Sequence, residues 1–358
     1  MKITRSTKCS LKFANPSKVR KLEEILAEYG RVVNLFIDQF WPDPPSKASL
    51  SKILSSVDTW FSARLRQEAA RDAVGIVKGV TRKSGPLGSK PIHRGKSMNL
   101  TSATVSLQEA KKASEFDCWL HISSVGNKTI LNLPIRLHSN FSKWDSAGNR
   151  YNAYTITKDY VQFAFKIETG PKKEKDRCVG IDTGIKSLAT LSTGKQFGPD
   201  IEANIDRINR CKNGSKGQKR AIRALRHKMD MVARAVCDQA SLVVVEKLTG
   251  ITKNTKRRLV KSMRRTIGRW NVSYWMNRLQ MTCEETNVSF RRVSAWNTSR
   301  ECNHCGHVDR RNRSKEKFLC LECGHADNAD VNAAKNILDR FLSGPSGAGC
   351  KPSLVGSC

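Results

Sequence analysis

Two apolar runs in this chain each end in a single carboxylate, and a third acidic residue opens a late helical pattern. Asp182 closes Cys178-Val-Gly-Ile-Asp182, and Glu246 closes Leu242-Val-Val-Val-Glu246. Asp330 heads Asp330-Val-Asn-Ala-Ala-Lys-Asn-Ile-Leu338, just after Cys302-x-x-Cys305 and Cys320-x-x-Cys323. The two runs read as strands and the last segment as a helix. Carboxylates ending two strands and starting a helix can converge where a sheet edge opens to solvent, and oxygen ligands of that kind suit magnesium. A strand, hairpin, helix and strand followed by a late helical aspartate is the layout of an RNase H-like fold. Taken singly, each residue has a plainer role: Asp330 as a helix cap, Glu246 as a strand-end charge, Asp182 as a turn residue in Asp-Thr-Gly. Their order and contexts together favour the metal site.

Charge narrows the substrate. The 358 residues include 64 Lys and Arg against 32 Asp and Glu, a formal net charge of +32 spread along the whole length. Such an excess calls for an extended polyanion, bound with strong salt dependence through counterion release. Two divalent cations about 4 Å apart, one favouring the attacking water and the other the leaving oxygen, would then hydrolyse a phosphodiester. A purely structural ribosomal or chromatin-like binder would be equally basic, so charge names the partner and not the chemistry.

Twelve cysteines are present. The start of the chain has no apolar stretch of signal-peptide length, and no run of about eighteen apolar residues occurs. The expected location is therefore the cytoplasm, in association with the nucleoid. In a reducing compartment, Cys302, Cys305, Cys320 and Cys323, with fourteen residues between the pairs, have the spacing of a closed tetrahedral zinc site. Gly306 and Gly324 follow the pairs, as tight knuckles require. An iron centre or free thiols are the alternatives. The other eight cysteines are dispersed.

Patterning divides the chain. Lys2 to Phe13 alternates as a first strand, and Asn15-Pro16 starts a helix that Trp41-Pro-Asp-Pro-Pro45 stops. A second helical stretch covers about Ser49 to Thr81. Short alternating runs from about Lys90 to Phe165 read as a small β-barrel or sandwich that the first strand can join. After the charged linker Pro171 to Arg177 come the strand into Asp182, a second strand at Ser187–Ser192, and a basic helix over about Asn209 to Gln239. The strand into Glu246, a helix from Val272 to Glu285, a strand over Val288–Val293, the cysteine cluster and the helix from Asp330 to about Ser343 follow. Gly344 onward reads as a disordered tail.

Arg207 to Arg226 and Thr252 to Trp270 are dense in basic residues, as phosphate-tracking helices are. Arg257, Arg258, Arg264, Arg265, Arg310 and Arg311 are candidate nucleic-acid contacts. Trp270, Tyr274 and Trp275 would either stack on bases or serve as core aromatics.

At Gly180-Ile-Asp182-Thr-Gly-Ile-Lys186, Val245-Glu246-Lys-Leu248, Thr298-Ser299-x-x-Cys302-x-x-Cys305-Gly306 and Asp330-Val-Asn-Ala-Ala-Lys-Asn-Ile337, the chain resembles the TnpB family. These transposon-encoded nucleases are related to the type V CRISPR effectors. The resemblance is specific over about Cys178 to Leu342 and looser before it. It implies a multidomain α+β protein: a first wedge strand (1–14), a helical recognition lobe (15–89) and a β-barrel wedge domain (90–172). A RuvC-like, RNase H-like nuclease domain (173–298 and 327–343) would carry an inserted zinc ribbon (299–326) that binds target nucleic acid, before a tail (344–358). It implies Asp182, Glu246 and Asp330 as catalytic residues holding two Mg2+, and the four cysteines holding one structural Zn2+. A guide RNA would pair with one strand of a DNA duplex beside a short motif, and both the paired and displaced strands would be cut, by a monomer or a dimer on one RNA. Two departures stand out: the stretch between Asp182 and Glu246 is shorter than two long basic helices require, and Trp296 stands where the family more often has tyrosine. The rival functions are a guided binder or repressor that does not cut, an unguided resolvase or transposase-like nuclease, and a structural zinc-ribbon protein on RNA.

Overall fold

Alternate burial of Ile3, Arg5, Thr7 and Cys9 makes one face of strand β1 (Lys2–Ser10) an inner face. The structure, a computed structural model, describes all residues except 47–49, 51, 86–87, 111–114, 175, 249–265, 267 and 345–358. Contacts divide it into two units, Lys2–Glu168 and Thr169 onward with Met1.

In the first unit the Asn15 side chain accepts from the Lys18 amide and Pro16 opens helix α1 (Pro16–Phe40), which ends at Trp41. The second helical stretch is interrupted. A single 3-10 turn at Leu54–Ser56 precedes α2 (Ala63–Ser84), where the Ser62 hydroxyl caps a new helix by accepting from the Leu65 amide. There follow β2 (Ser97–Thr101), β3 (Val105–Glu109), β4 (Cys118–Ile122), β5 (Leu131–Ile135), α3 (Ser139–Ala147), β6 (Gly148–Thr157) and β7 (Tyr160–Glu168). β1 pairs antiparallel with β7 along its whole length, from Lys2 opposite Glu168 to Ser10 opposite Tyr160.

The expected closed β-barrel is not formed. Among the described residues these strands make two open antiparallel sheets, ordered β1-β7-β6-β2 and β3-β4-β5. Sheets of four and three strands are too narrow to curl closed, and helices cover them instead. Phe141 of α3 meets Phe163 and Phe165 of β7 edge-on at 5.0 and 5.4 Å, while α1 packs on β2 and β5. One hydrophobic core runs from Ile3 to Ile167 and includes both sheets and both long helices.

The second unit is built on a five-stranded sheet ordered β10-β9-β8-β11-β12. Its members are β8 (Cys178–Asp182), β9 (Ala189–Leu191), β10 (Gln196–Phe197), β11 (Leu242–Glu246) and β12 (Ser289–Val293). β8 to β10 is an antiparallel meander, whereas β8, β11 and β12 are mutually parallel. The basic helix expected over about Asn209 to Gln239 starts later, as α5 (Lys216–Gln239), where the Ser215 hydroxyl accepts from the Gln218 amide, and a separate helix α4 (Ile201–Arg210) precedes it. Helices α6 (Val272–Glu285) and α7 (Ala329–Leu342) complete the layer arrangement.

Strand parity explains the sandwich. Val179, Ile181, Val243 and Val245 face one core with Met229 and Val236 of α5 and Trp275 and Leu279 of α6. Cys178, Leu242 and Val244 face the other, with Ile337, Leu338 and Phe341 of α7. A strand buried on both sides has no polar alternation, which is why these segments read as continuous apolar runs. Between β12 and α7 lies a small antiparallel sheet of β13 (Arg313–Ser314), β14 (Lys317–Leu319) and β15 (Ala326–Asn328). No described helix is long and apolar enough to cross a membrane.

Candidate active site and metal centre

The period-two alternation that sends Leu242 and Val244 toward α7 sends Glu246 the same way, and Gly180 puts Asp182 on that side too. β8 and β11 run in parallel register from Cys178 opposite Leu242 to Ile181 opposite Val245. The next step of that register sets Asp182 beside Glu246 at the C-terminal ends of both strands. Gly180 lets α7 come close: a Cβ there would lie 2.1 Å from the Ala334 carbonyl oxygen and 2.8 Å from the Leu338 nitrogen. The helix therefore lies directly on β8, and its first turn carries Asp330 over the strand ends. Asp330 is not the cap. That role belongs to Asn328, whose side-chain oxygen accepts from the amides of Asp330 (2.9 Å) and Val331 (3.2 Å). The Asp330 carboxylate is thus left for other partners.

The three carboxylates feel one another. Burial pushes the Asp182 carboxyl up to about 7, and the negative charges of Asp330 and Glu246 add to that, against the pull of Arg313. Burial also raises Glu246, although the Thr298 hydroxyl donates to its Oε1 and Arg340 and Arg313 favour its charged form. Arg313 of β13 donates to Asp330 Oδ1 at 2.7 Å. Lys186, four residues after Asp182, forms an ion pair with Glu316 in the turn between β13 and β14. The indole N–H of buried Trp275 reaches the Thr183 hydroxyl at 3.4 Å, supporting the turn behind Asp182.

Several residues that hold the site carried no role in the sequence reading. Asn336 donates to the carbonyls of Thr298 (2.9 Å) and Glu301 (2.7 Å), and Asn332 donates to Glu301 O (2.8 Å). Together they staple the segment entering the cysteine module onto α7. Their signal was two asparagines four apart on a helix face that is otherwise apolar. Arg313 stood out only as one of several basic residues in the cysteine module, a pattern that suggests nucleic-acid contact and not a partner for Asp330.

The four cysteines come together. Their sulfurs all lie within 4.8 Å of one another, with Cys302 to Cys323 at 3.8 Å and Cys305 to Cys320 at 3.5 Å. A tetrahedral zinc with Zn–S of about 2.3 Å has S–S edges of about 3.8 Å, so the thiolates fit that ion. Both knuckles have the same backbone: Gly306 N–H bonds Cys302 O at 2.8 Å and Gly324 N–H bonds Cys320 O at 3.1 Å. Gly306 and Gly324 have φ of +76° and +70°, the left-handed region where a side chain would be strained. The backbone N–H of Cys323, then that of Glu322, lower the Cys320 thiol, whereas burial raises Cys302, so the fit to a metal rests on the sulfur geometry. The carboxylates are not gathered that tightly. Among the described residues, the cysteines are the group of potential ligands that meets this spacing.

Of the candidate basic contacts, Arg257, Arg258, Arg264 and Arg265 lie outside the described residues. Arg310 and Arg311 sit exposed on a 3-10 turn, with Arg311 paired to Asp309 at 2.9 Å. The aromatics resolve in favour of the core. Trp275 and Trp270 are buried, and the Tyr274 hydroxyl donates to Asp230 at 3.0 Å.

The chain that carries this arrangement has known relatives. Residues 275–337 match the family described as Cas12f1-like, TNB domain. Among curated proteins the chain is 28% identical over 210 residues to InsQ of Escherichia coli (strain K12), covering 50% of this chain and 52% of that protein. It is 27% identical over 198 residues to the CRISPR-associated endodeoxyribonuclease Cas12f1 of an uncultured archaeon (44% and 37% covered). It is 33% identical over 116 residues to a TnpB-like protein of Aquifex aeolicus (strain VF5), covering 31% and 37%. The chain thus spans about half, or less, of the length of these relatives. Its fold is similar to that of Cas12f1 in a Cas12f1–sgRNA–target DNA complex, with TM-score 0.57 and 13% identity over 90% of this chain and 83% of that one. The resemblance to the TnpB family and its CRISPR relatives is borne out.

Proposed function

We propose that this chain is an RNA-guided DNA endonuclease whose cutting centre is Asp182, Glu246 and Asp330. The observation that carries the proposal is the gathering of Asp182 and Glu246 at the ends of β8 and β11 under Asp330 of α7, where burial and then the charges of Asp330 and Glu246 raise the Asp182 carboxyl. Like charges placed so close cost free energy that a divalent cation recovers. In this reading the five-stranded sheet with α4 to α7 is an RNase H-like, RuvC-type nuclease domain, and the cysteine module is its zinc-bearing insertion. The first unit would supply recognition and wedge functions.

The residues divide the work. Two Mg2+ ions, when bound, would stabilise charge on the attacking water and on the leaving oxygen. Thr298 fixes one oxygen of Glu246, and Arg313 orients Asp330 from across the ribbon. Trp275 and Thr183 keep the turn behind Asp182 in place. The ribbon therefore acts on the cutting centre through Arg313. The proteins it is similar to include an endodeoxyribonuclease and a protein solved with a guide RNA and target DNA, which supports the substrate and the guide. The net charge of +32 supports a long phosphate backbone as ligand.

The test begins with the RNA that co-purifies when the chain is expressed with its native flanking DNA. One discrete RNA with a constant scaffold and a variable end identifies the guide and the DNA target. Asp182→Ala should then reduce cleavage of that target by at least about 10³-fold, an order expected on losing a metal ligand at the reacting centre, with RNA and DNA binding retained. Cutting that survives the substitution removes the metal-site argument.

A further inference from the structure

Trp296 is the most exposed aromatic side chain among the described residues, at 73%. A single exposed apolar side chain is ordinary on a protein surface. The backbone under this one is not ordinary. Arg340 of α7 donates from one nitrogen to the carbonyls of both Ser294 (2.8 Å) and Trp296 (2.7 Å), and from the other to Glu301 Oε2 (2.7 Å). Asn297 next to it holds φ at +58°, and its carbonyl accepts from the amides of Arg300 (2.9 Å) and Glu301 (3.0 Å). The loop is clamped, yet the indole it presents is left in water.

Its position is equally constrained. Val293 ends β12 directly opposite Glu246 in the parallel register, and the Lys247 amide donates to Val293 O at 2.8 Å. Trp296 is three residues beyond that pair and two residues before Thr298, whose hydroxyl holds Glu246. Arg291, Arg292 and Arg300 are exposed on the same strand and loop. An exposed indole on a clamped loop, three residues past the strand end that pairs with Glu246 and on a segment that carries exposed arginines, is a combination that suits unpaired bases along a phosphate backbone. A duplex hides its base faces, so the ligand it fits is a single strand.

We propose that Trp296 is a base-stacking residue, holding an unpaired nucleobase of the strand that enters the carboxylate site next to the bond to be cut. This rests on the nuclease reading above, and binding and cutting are measured separately so that the two can fail separately. The full chain with its co-purified RNA, in the Asp182→Ala background, is titrated with fluorescein-labelled short oligothymidine and with an abasic strand of equal length. Trp296→Ala should weaken oligothymidine binding about tenfold, in the range of one stacked base, and leave abasic binding unchanged. Trp296→Phe should recover most of the loss. With Asp182 intact, Trp296→Ala should raise KM for single-strand cutting more than it lowers kcat. Equal losses on both strands, or no loss on either, overturns the proposal. So does a Trp296→Ala that dissociates a dimer without altering oligothymidine binding, which would make the indole a contact between copies. A wild type that cuts normally beside an unaffected Trp296→Ala removes only the stacking role. A wild type that neither binds single strands nor cuts removes the nuclease reading.

Discussion

Asp182 is a carboxyl held above its ordinary range by burial and by two neighbouring carboxylates, and this has a stability consequence. A group whose folded-state pKa exceeds its unfolded value contributes stability below the unfolded value, and loses it as pH rises through the folded one. For Asp182 that window runs from 3.8 to about 7. Without divalent metal, the wild type and Asp182→Asn should have similar Tm near the bottom of the window. At the top, the wild type should be lower by on the order of 4 kcal/mol, or about 10 °C. Glu246, also raised, keeps part of the slope in the variant. Thermal scans across that window decide the matter, and parallel curves would mean Asp182 is not crowded by its neighbours. Asp182, Glu246 and Asp330 were legible in sequence as a candidate site because two strand ends and a helix start give each carboxylate a distinct context. Thr298, Arg313, Asn332 and Asn336 were not, because each takes its role from a partner distant in sequence. Trp296 shows the same limit, since nothing local says that Arg340 will clamp its loop.

At the scale of elements, the approach of α7 to β8 depends on one missing side chain. Gly180→Ala sets a methyl group against backbone atoms of Ala334 and Leu338, which have no rotamer to change. The helix must lift, at a cost of about 1–3 kcal/mol, and Asp330 lifts with it. Cleavage should therefore fall further than the loss of folded protein explains, as measured by Tm and by cutting at a temperature where the variant remains folded. Gly75 in α2 is the contrast. It meets nothing within 4 Å, so Gly75→Ala should add about 0.5–1 kcal/mol. The elements themselves were mostly readable. α1 has an Asn–Pro start and a proline-rich stop, and β8 and β11 are uninterrupted apolar runs. The breaks before α2 and α5 were missed because Ser62 and Ser215 are weak signals until their hydroxyls are seen capping. The expected barrel failed for a larger reason. Strand pattern reports which face is buried but not what covers it, and here helices do.

For the molecule as a whole, charge and metal act at different ranges. The excess of 64 basic over 32 acidic residues attracts a polyanion from a distance without choosing where on it the chain would act. Choice of position needs rigid parts, and within the second unit the cysteine ribbon touches the candidate carboxylate site. Arg313 holds Asp330, Glu316 pairs with Lys186, and the Glu316 carbonyl accepts from the Ala329 amide where α7 begins. An ion held by the four thiolates would, in folding the ribbon, also set the start of the helix carrying Asp330. Cys320→Ser removes one ligand of a closed site whose free energy of metal binding is also folding free energy. Zinc measured by elemental analysis should fall from about one per chain to well under half that, with lower soluble yield. Cleavage should fall in the remaining soluble protein even with Asp182, Glu246 and Asp330 intact. Full zinc in that variant would mean the ligands are assigned wrongly. Zinc loss with unchanged cutting would mean Arg313 does not need the ribbon to reach Asp330, and the two metal sites would then be independent.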